Sequence, residues 1–423
     1  MNELYGMILP RPQLRFSRAN SAARHSDPRK GLKQYGPYDS GLLGKDKVCL
    51  GLLYPKGRDD LKETLIHGFM EGIGFFPGFQ PLFRLPVEFT YVQNYQDLEG
   101  GLKLVVGQNL DLVIIAIHQK YKNIDLYRLV KQWLSANGIP SQIVTAMKLD
   151  NEQQRQWVIE SMALALYAKI GGSPWVVLAE TERKEVIIGI SRAVDRQQAA
   201  AAGYVTLFNG DGDFLYMGSK APFIQWPKRG DKDEEQKYID EMGSLIEEAL
   251  QFYKSLHGEP ETVIIHLCKR PGPLEKVAVR RTSAKWNIPY AILHVNDDTI
   301  FRMFDTSHTS YIPPKGVTVY LNSRHALLLL DGLVNGERKR RGVPRLVEIR
   351  LDPTSTIDVS EFPRLVKQVY NLANMNWRGF NAKASPASLN YSYLIAKLMV
   401  IIGFENWNTL ISQGKLRDKA WFL

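Results

Sequence analysis

The chain has 423 residues, enough for two domains of ordinary size that each bury a core. Its composition, 44% hydrophobic and 23% charged, is that of a globular protein, and its formal net charge of +10 favours a polyanionic partner. No apolar run is long enough to span a membrane, and the N-terminal region lacks a signal-peptide pattern. The two cysteines, Cys49 and Cys268, lie in apolar runs, which predicts buried free thiols and a cytoplasmic protein.

Residues 1–45 are basic and irregular, with Pro, Ser and Gly between the arginines. This composition predicts an N-terminal arm that packs on the folded domains, and a disordered tail is the alternative. From Lys47 onward, apolar strands alternate with helical spacing, which indicates a parallel, doubly wound sheet. The predicted elements are a strand at 47–54, a helix at 60–73, a strand at 111–118, a helix near 124–136, a strand at 141–147 and a helix from about 152 to 170. Asp150 is the predicted N-cap of that last helix, and Gly171 with Gly172 is its stop.

After Pro174 the pattern changes. Two strand-like runs, WVVLAE and EVIIGIS, precede a hairpin that reads GYVTLF, NGDGD and FLYMGS. A helix near 234–256 and a strand at 261–268 follow. Three strands, a helix and a further strand form the order of a ribonuclease-H-like fold. The sequence therefore predicts two α/β domains with a boundary near 172–178.

Four polar residues fit a terminal phosphate. Tyr127 and Lys131 are four positions apart on one helix face, Gln142 opens a strand, and Lys169 lies in the last turn of a helix. Ligands of doubly wound sheets collect near the ends of strands, so these residues are expected to converge there. Lysines supply charge-assisted hydrogen bonds, and the amide and hydroxyl supply directed ones. The alternative is an ordinary surface pair on one helix and a lysine that complements the dipole of another.

Several motifs in order along the chain resemble the prokaryotic Argonaute and Piwi proteins. They are LYRLVKQWLSANGIPSQ, AKIGGSPW, KQYGPYDSG near the start, YAILHVND, MNWRGF and the final WFL. The chain resembles a short Argonaute with a Rossmann-like MID domain at 46–173 and a ribonuclease-H-like PIWI domain at 174–423. This resemblance implies that Tyr127, Lys131, Gln142 and Lys169 bind the 5′-phosphate of a guide.

The resemblance also implies a structural Mg²⁺. In the family the last carboxylate of the chain, here that of Leu423, helps to hold a cation that bridges guide phosphates. A carboxylate beside phosphates needs such a cation, because like charges otherwise repel. Some relatives add a glutamine one turn before the second lysine, where this chain has Ala165. The simpler interpretation of Leu423 is a hydrophobic tail on the core.

A ribonuclease-H-like nuclease needs several carboxylates around two Mg²⁺ ions. By resemblance, those positions hold Ser191, Lys269 with Arg270, and Tyr393. Serine and tyrosine are poor Mg²⁺ ligands, and a lysine repels the ion. Asp211 and Asp213 belong to a turn, where acidic residues favour the backbone geometry. We therefore expect a PIWI domain that binds nucleic acid without cutting it and has no catalytic metal.

Basic residues are expected to contact the backbone of a guide–target duplex. The candidates are Lys269, Arg270 and Arg378, and the run at 338–341 is either a solvated loop or a further contact. Trp377 and Phe380 are predicted core aromatics.

The resemblance implies a sensor subunit of an antiviral defence system. Such a chain binds a 5′-phosphorylated guide, which we expect to be RNA with DNA as the alternative, and recognises complementary single-stranded target DNA. Short Argonautes pair with an APAZ-containing effector; we favour a sirtuin-like NADase, with a TIR NADase or a nuclease as alternatives, whose NAD depletion causes abortive infection. Two other hypotheses remain, namely an active guided endonuclease with unusual metal ligands and a nucleotide-binding α/β protein.

Overall fold

The computed structural model describes residues 4–118, 124–177, 183–195, 200–208, 214–218, 230–334, 343–403, 406–407 and 419–423. The chain forms two compact units. We call the first the doubly wound unit, which comprises Leu14–Val176, Trp377–Phe380 and Leu398–Leu423. We call the second the nuclease-like unit, which comprises Met1–Gln13, Val177–Asn376 and Asn381–Lys397.

The strands, in chain order, are β1 (Tyr5–Ile8), β2 (Leu14–Arg15), β3 (Arg24–His25), β4 (Val48–Pro55), β5 (Val87–Tyr95), β6 (Leu112–Ile117), β7 (Ser141–Thr145), β8 (Val176–Val177), β9 (Glu185–Asp195), β10 (Ala200–Phe208), β11 (Phe214–Gly218), β12 (Thr262–Leu267), β13 (Tyr290–Asn296), β14 (Val317–Asn322), β15 (His325–Leu329) and β16 (Leu346–Leu351).

The α-helices are α1 (Pro28–Tyr35), α2 (Asp59–Met70), α3 (Phe79–Phe83), α4 (Leu98–Val105), α5 (Ile124–Ala136), α6 (Ala146–Asp150), α7 (Glu152–Lys169), α8 (Lys232–His257), α9 (Pro273–Trp286), α10 (Phe362–Leu372) and α11 (Ala387–Ile402). Within the described ranges, none of these helices combines the length and apolarity that crossing a membrane requires.

The doubly wound unit contains a four-stranded sheet with the order β5-β4-β6-β7, in which every neighbouring pair is parallel. Strand β6 is buried along its whole length, as expected for a parallel strand between layers of helices. Apolar residues of α4 and α5 pack on this sheet, among them Leu102, Val130 and Leu134. The predicted Rossmann-like fold is confirmed.

The nuclease-like unit contains a nine-stranded sheet with the order β1-β14-β15-β16-β13-β12-β9-β10-β11. Strands β9, β10 and β11 are antiparallel neighbours, whereas β12 and β13 continue the sheet in parallel. Helices α8 and α9 bury one apolar face against it, with Ile246, Leu250 and Val279 in the core. This arrangement confirms the predicted ribonuclease-H-like fold. The turn with Asp211 and Asp213, and the basic run at 338–341, lie outside the described residues.

A glycine allows helix α11 to approach strand β9 closely. A Cβ added to Gly189 would lie 2.2 Å from the carbonyl oxygen of Ser388, so a larger residue would force the helix away. Ser388 also contacts β12, because its Oγ lies 2.8 Å from Nδ1 of the buried His266. The start of α11 is therefore fixed against the centre of the sheet.

The units are discontinuous in sequence, whereas the sequence predicted continuous domains after a 45-residue arm. The unit changes at Val176–Val177, inside the predicted boundary range, but two later segments return to the doubly wound unit. The indole N–H of Trp377 donates to the carbonyl of Trp175 at 3.2 Å, and the amide of Gln132 donates to the carbonyl of Ile402 at 2.5 Å. Local sequence patterns cannot predict contacts between residues so far apart in the chain.

The predicted arm also divides between the units. Residues up to Gln13 group with the nuclease-like unit through β1, which pairs with β14. The later part is ordered on the doubly wound unit by Asp39, a buried carboxylate. It accepts hydrogen bonds from the Tyr167 hydroxyl at 2.7 Å and the Ser173 N–H at 2.8 Å. The motif KQYGPYDSG thus has a structural role.

One local prediction was wrong, and one strand was missed. The N-cap of α7 is Asn151, whose side chain accepts from the Gln154 N–H at 3.1 Å, while Asp150 pairs with Arg58 at 2.5 Å. The reason is that a short helix, α6, follows β7 at once and takes up the residues that precede Asn151. Strand β5 was missed because only its two end residues are buried and several of its exposed side chains are polar.

Candidate functional site

Three elements of the doubly wound unit bring the predicted phosphate-binding residues together. Helix α5 carries Tyr127 and Lys131, β7 carries Gln142 directly after its first residue, and α7 ends at Lys169. The Nζ atom of Lys131 lies 5.6 Å from the centre of the Tyr127 ring. The four residues therefore meet, although they come from separate parts of the sequence.

Both lysines share one acceptor. Lys131 Nζ donates to the carbonyl oxygen of Ser141 at 3.2 Å, and Lys169 Nζ donates to the same oxygen at 2.8 Å. Lys169 also donates to Oε1 of Gln142 at 2.7 Å. These acceptors are neutral, so the hydrogen bonds satisfy donor atoms without cancelling the positive charge of either ammonium group.

Burial makes that charge unfavourable. Lys131 and Lys169 are 3% and 1% exposed. Loss of hydration, reinforced by the nearby Arg378 guanidinium, lowers the pKa of Lys131 from 10.5 to about 7. Burial also holds the pKa of Lys169 well below its ordinary value, and the positive charges of Lys131 and Arg378 add to this effect. Burial raises the pKa of Tyr127, and Arg378 opposes that rise. An anion beside these groups would restore the charged lysines.

A cavity of about 730 Å³ lies beside this cluster, and all of its lining residues belong to the doubly wound unit. Tyr127, Gln142, Arg378 and Leu423 line it, whereas the two lysines are buried behind the lining. Lys169 reaches the cavity wall through its hydrogen bond to Gln142. The lysines thus supply positive potential from the protein side, while Gln142 and Tyr127 present polar atoms.

The cavity runs along β7, the edge strand of its sheet, since the consecutive residues Gln142 to Thr145 all line it. The sequence predicted a site at the strand ends, and the structure extends it along the strand. The hydroxyls of Ser141 and Thr145 are buried and have no hydrogen-bond partner within the described residues. Such unsatisfied atoms are costly unless a ligand or water engages them.

One face of α7 forms another wall that the sequence prediction missed. The residues of α7 that line the cavity recur every three or four positions along one helix face: Gln154, Trp157 with Val158, Ser161 with Met162, and Ala165. This spacing was present in the sequence. It could not be assigned to a site because an apolar face on a helix usually indicates core packing.

Arg378 lines this cavity together with Leu423. The predicted contact of Arg378 with the backbone of guide or target stays a prediction. Its neighbours Trp377 and Phe380 are buried, as predicted for core aromatics. The 377–380 segment therefore brings a third cation to the two buried lysines.

Comparison with known proteins identifies the family to which this chain belongs. The Piwi domain family matches residues 112–401, more than half of the chain. The chain belongs to the Argonaute/Piwi family. A Protein argonaute of Cereibacter sphaeroides is 24% identical over 447 residues, covering 93% of this chain and 56% of that protein. A Piwi protein of Archaeoglobus fulgidus is 23% identical over 422 residues, covering 93% of each.

Two solved structures share the fold of this Argonaute/Piwi chain. Clostridium butyricum Argonaute, bound to a guide DNA and a 19-mer target DNA, superposes with a TM-score of 0.71 at 17% identity. Drosophila Piwi superposes with a TM-score of 0.71 at 15% identity. The match with Clostridium butyricum Argonaute covers 94% of this chain and 53% of that protein. The match with Drosophila Piwi covers 99% of this chain and 56% of that protein. The chain thus spans about half the length of these two proteins and of the Cereibacter relative.

The residues of the cavity do not by themselves form a Mg²⁺ site. Ala165 has no ligand atom, the side-chain oxygen of Gln142 already accepts from Lys169, and Arg378 adds positive charge. In the described parts of the chain, no three His, Cys, Asp or Glu side chains are grouped to hold a metal. A cation beside Leu423 would need phosphate oxygens of a guide as further ligands.

The residues expected at the Argonaute catalytic positions lie on β9, directly after β12 and on α11. Ser191 is 1% exposed on β9, and its Oγ donates to the carbonyl of Leu389 at 3.1 Å. Lys269 and Arg270 are exposed just after β12, which runs parallel to β9. Tyr393 is 46% exposed on α11. Whether this arrangement lacks nuclease activity stays a prediction.

Proposed function

We propose that this Argonaute/Piwi chain binds the 5′-phosphorylated end of a guide nucleic acid in the cavity of the doubly wound unit. The observation that carries the proposal is the buried pair Lys131 and Lys169, which share a neutral acceptor. A buried cation without a counter-ion is unfavourable, so an anion that enters beside it gains interaction energy. A terminal phosphate suits this place because it carries about −1.5 to −2 charges near neutral pH.

The roles of the surrounding residues follow from their positions. Gln142 and the Tyr127 hydroxyl present hydrogen-bonding groups at the cavity wall, and Arg378 adds a guanidinium that can pair with two phosphate oxygens. The unsatisfied hydroxyls of Ser141 and Thr145 offer further donors. Together they form a cationic end of a cavity that is also large enough to admit part of a nucleoside.

The direct test compares short oligonucleotides that differ only at the 5′ end. Each is prepared with a 5′-phosphate or a 5′-hydroxyl, and dissociation constants are measured at one salt concentration. Two charge-assisted hydrogen bonds of roughly 1.5–3 kcal/mol each predict a preference for the phosphate of about 100-fold or more. Equal affinity for the two forms would rule out the site. Copurification of a mononucleotide alone would instead support a nucleotide-binding protein.

We further propose an RNA guide and a complementary single-stranded DNA target. The Clostridium butyricum relative was solved with guide DNA and target DNA, so the test uses RNA and DNA guides of the same sequence. Lys269 and Arg270 are exposed and would contact the backbone of the paired strands, while base pairing supplies the sequence specificity. A DNA guide that binds more tightly than RNA would reverse this assignment.

The nuclease-like unit is proposed to hold the duplex without cutting it. This proposal is supported by the family resemblance, which aligns Ser191, Lys269 and Tyr393 with the carboxylates of the nuclease mechanism, and by the hydrogen bond that Ser191 donates to the Leu389 carbonyl. Guide-loaded protein incubated with labelled target and Mg²⁺ or Mn²⁺ should leave the target intact. A single cleavage product opposite the guide would show an active endonuclease with other ligands.

The biological role proposed from the family resemblance is that of a cytoplasmic sensor in antiviral defence. The chain would pair with an APAZ-containing effector, a sirtuin-like NADase in preference to a TIR NADase or a nuclease. Guide and target together would activate the effector and deplete NAD. Affinity purification from the native host followed by an NAD assay tests this. NAD loss that needs both guide and target is expected, and purification without a partner chain would contradict it.

The predicted Mg²⁺ remains part of the proposal, with guide phosphates as most of its ligands and the carboxylate of Leu423 as the protein's contribution. Removal of Trp421–Leu423 should weaken guide binding and reduce its dependence on divalent cations. Unchanged affinity and metal dependence would exclude Leu423 from the site. Because Trp421 is fully buried and packs 5.7 Å from Trp407, thermal unfolding must be measured on the same variant.

A further inference from the structure

Two consecutive glycines closely follow the last residue of α7, the buried Lys169. Gly171 has a φ of +108°, a conformation that glycine adopts readily and other residues rarely adopt. Gly172 is so close to α7 that an added Cβ would lie 2.3 Å from the Tyr167 ring. Glycine loses more conformational freedom on folding than any other residue. The end of α7 therefore needs contacts from elsewhere in the chain to keep a single conformation.

Asp39 supplies such contacts on both sides of Lys169. Its Oδ1 accepts from the Tyr167 hydroxyl at 2.7 Å, and its Oδ2 accepts from the Ser173 N–H at 2.8 Å. One donor precedes Lys169 in the last turn of α7, and the other follows the glycine pair. Asp39 and Tyr167 are both buried, and the Tyr167 ring stacks on that of Phe83 at 4.7 Å between centres. One buried carboxylate thus joins the two ends of the glycine turn.

Backbone hydrogen bonds of the N-terminal region hold Asp39 itself in place. The Tyr38 N–H donates to the carbonyl of Pro174 at 3.1 Å, and the Arg18 N–H donates to the carbonyl of Tyr38 at 2.9 Å. On the other side, the Leu42 N–H donates to the carbonyl of Asp39 at 2.9 Å. The carboxylate therefore reaches the end of α7 from a backbone that is fixed before and after it.

Burying a carboxylate costs free energy, so Asp39 is expected to have a role that an apolar residue could not fill. Burial raises the pKa of Asp39, and the two hydrogen bonds that it accepts oppose that rise. The pKa of Lys169 is lowered by burial and by the charges of Lys131 and Arg378. A carboxylate that acted on this lysine by its charge would raise that pKa instead. We therefore look to the position of α7 for the link between Asp39 and Lys169.

We propose that Asp39 is a positioning residue for the site that binds the 5′-phosphate. By joining the two ends of the glycine turn, it fixes the end of α7, so that Lys169 Nζ keeps its hydrogen bonds to the Ser141 carbonyl and to Gln142 Oε1. The proposal rests on the proposed function, since the preference for a phosphate depends on this lysine. It gives the N-terminal region a part in guide recognition that needs no contact with the guide.

The test measures the preference for 5′-phosphorylated over 5′-hydroxyl guides in two variants of Asp39. Asp39→Ala removes both hydrogen bonds and should lower this preference roughly tenfold, the worth of about one charge-assisted hydrogen bond. Asp39→Asn should keep most of the preference, because its amide can accept from the Ser173 N–H and donate to the Tyr167 hydroxyl oxygen. Equal losses in the two variants would assign the effect to charge and overturn positioning. No loss in Asp39→Ala would overturn it as well.

Asp111→Ala is the matched control for the loss of a carboxylate that accepts from the backbone. Asp111 is half-buried in the same unit, its Oδ2 accepts from the Cys49 N–H at 2.9 Å, and its Oδ1 pairs with Lys45 at 2.5 Å. It stands outside the lining of the described cavity. Asp111→Ala should leave the phosphate preference unchanged, and thermal unfolding is measured on every variant. A loss of preference as large as that of Asp39→Ala would contradict the proposal, because general destabilisation would explain both.

Tyr167→Phe is a gentler variant that keeps the test decisive if Asp39→Ala does not fold. It removes one hydroxyl, retains the ring that stacks on Phe83 and should lower the phosphate preference severalfold. A double-mutant cycle then asks whether the effect passes through Lys169. In the Lys169→Met background, neither Tyr167→Phe nor Asp39→Ala should lower the preference further. An undiminished additional loss in that background would contradict positioning of this lysine.

A measurement on the free protein separates this proposal from the proposed function. In ¹³C-lysine-labelled protein, the Cε resonance of Lys169 is identified by its loss in Lys169→Met, and its pH titration is recorded. Asp39→Ala should hydrate this amine and move its pKa toward the ordinary value, whereas Asp39→Asn should leave the titration unchanged. An unchanged titration in Asp39→Ala would overturn the proposal. Failure of the proposed function would appear separately, as equal affinity of the unaltered protein for 5′-phosphate and 5′-hydroxyl guides.

Discussion

Polar groups are placed differently around the buried lysines of the doubly wound unit and around β9 and the end of β12 in the nuclease-like unit. In the first region, Lys131 and Lys169 are buried against neutral acceptors, and burial holds the pKa of both lysines below its ordinary value. In the second, Ser191 is buried with a satisfied hydrogen bond, and Lys269 and Arg270 are exposed. An anionic ligand would therefore gain interaction energy in the first region. The polar groups of the second region are already hydrogen-bonded or solvated without a ligand.

The largest expected effect comes from removing the buried charge. The double variant Lys131→Met and Lys169→Met should lower affinity for a 5′-phosphorylated guide by about 100-fold or more, because two charge-assisted interactions are lost. Affinity for the 5′-hydroxyl guide should change little. Binding is measured by titration with both guides.

The single variant Lys131→Met provides the control for folding. The Ser141 carbonyl then still accepts from Lys169, so no buried acceptor loses all its donors. Its thermal unfolding should match that of the unaltered protein. If both guides lose affinity equally in the double variant, the lysines serve the fold and not the phosphate.

An intermediate effect is expected from pH. In the free protein the pKa of Lys131 is about 7, whereas a bound phosphate would keep this lysine protonated at higher pH. Binding above pH 7 therefore takes up a proton, and affinity for the 5′-phosphorylated guide should fall as the pH rises, by roughly 50-fold between pH 7 and 9.

The 5′-hydroxyl guide should show a weaker pH dependence, and Lys131→Met should flatten the dependence for the phosphorylated guide. Titrations at constant ionic strength measure both. An affinity for the phosphorylated guide that increases from pH 7 to 9 would contradict protonation of the lysine in the complex.

The smallest effect is expected at Ser191. Ser191→Ala removes one buried hydrogen bond to the Leu389 carbonyl and should lower the free energy of unfolding by about 1 kcal/mol. Guide affinity and the 5′-phosphate preference should not change. Chemical denaturation and guide titration check the two parts. Loss of the 5′-phosphate preference would show that the contrast between the two regions is wrong.

Local sequence signals predicted part of the site well. The i, i+4 spacing placed Tyr127 and Lys131 on one helix face, and the glycines after Lys169 marked the end of α7. The same kind of signal predicted both sheets, because strands and helices alternate with clear apolar patterns. These features depend on neighbours within one or two turns of the chain.

The rest of the site depends on contacts that no local pattern encodes. Arg378 reaches the cavity from more than two hundred positions beyond Lys169, and Asp39 contacts Tyr167 and Ser173 from the N-terminal region. The shared Ser141 carbonyl is a backbone atom, which residue identity does not reveal. Trp157 was indistinguishable in sequence from a residue of an ordinary packed helix face.

The discontinuous doubly wound unit has a consequence for synthesis of the protein. Its sheet is translated early, but Arg378 and Leu423, which line its cavity, emerge only after most of the nuclease-like unit. Closing such long loops is slow, because distant segments must meet before their contacts contribute. A nascent chain would therefore carry the sheet and both buried lysines well before it has a finished cavity. Guide capture would be postponed until the segments that contain Arg378 and Leu423 have been synthesised.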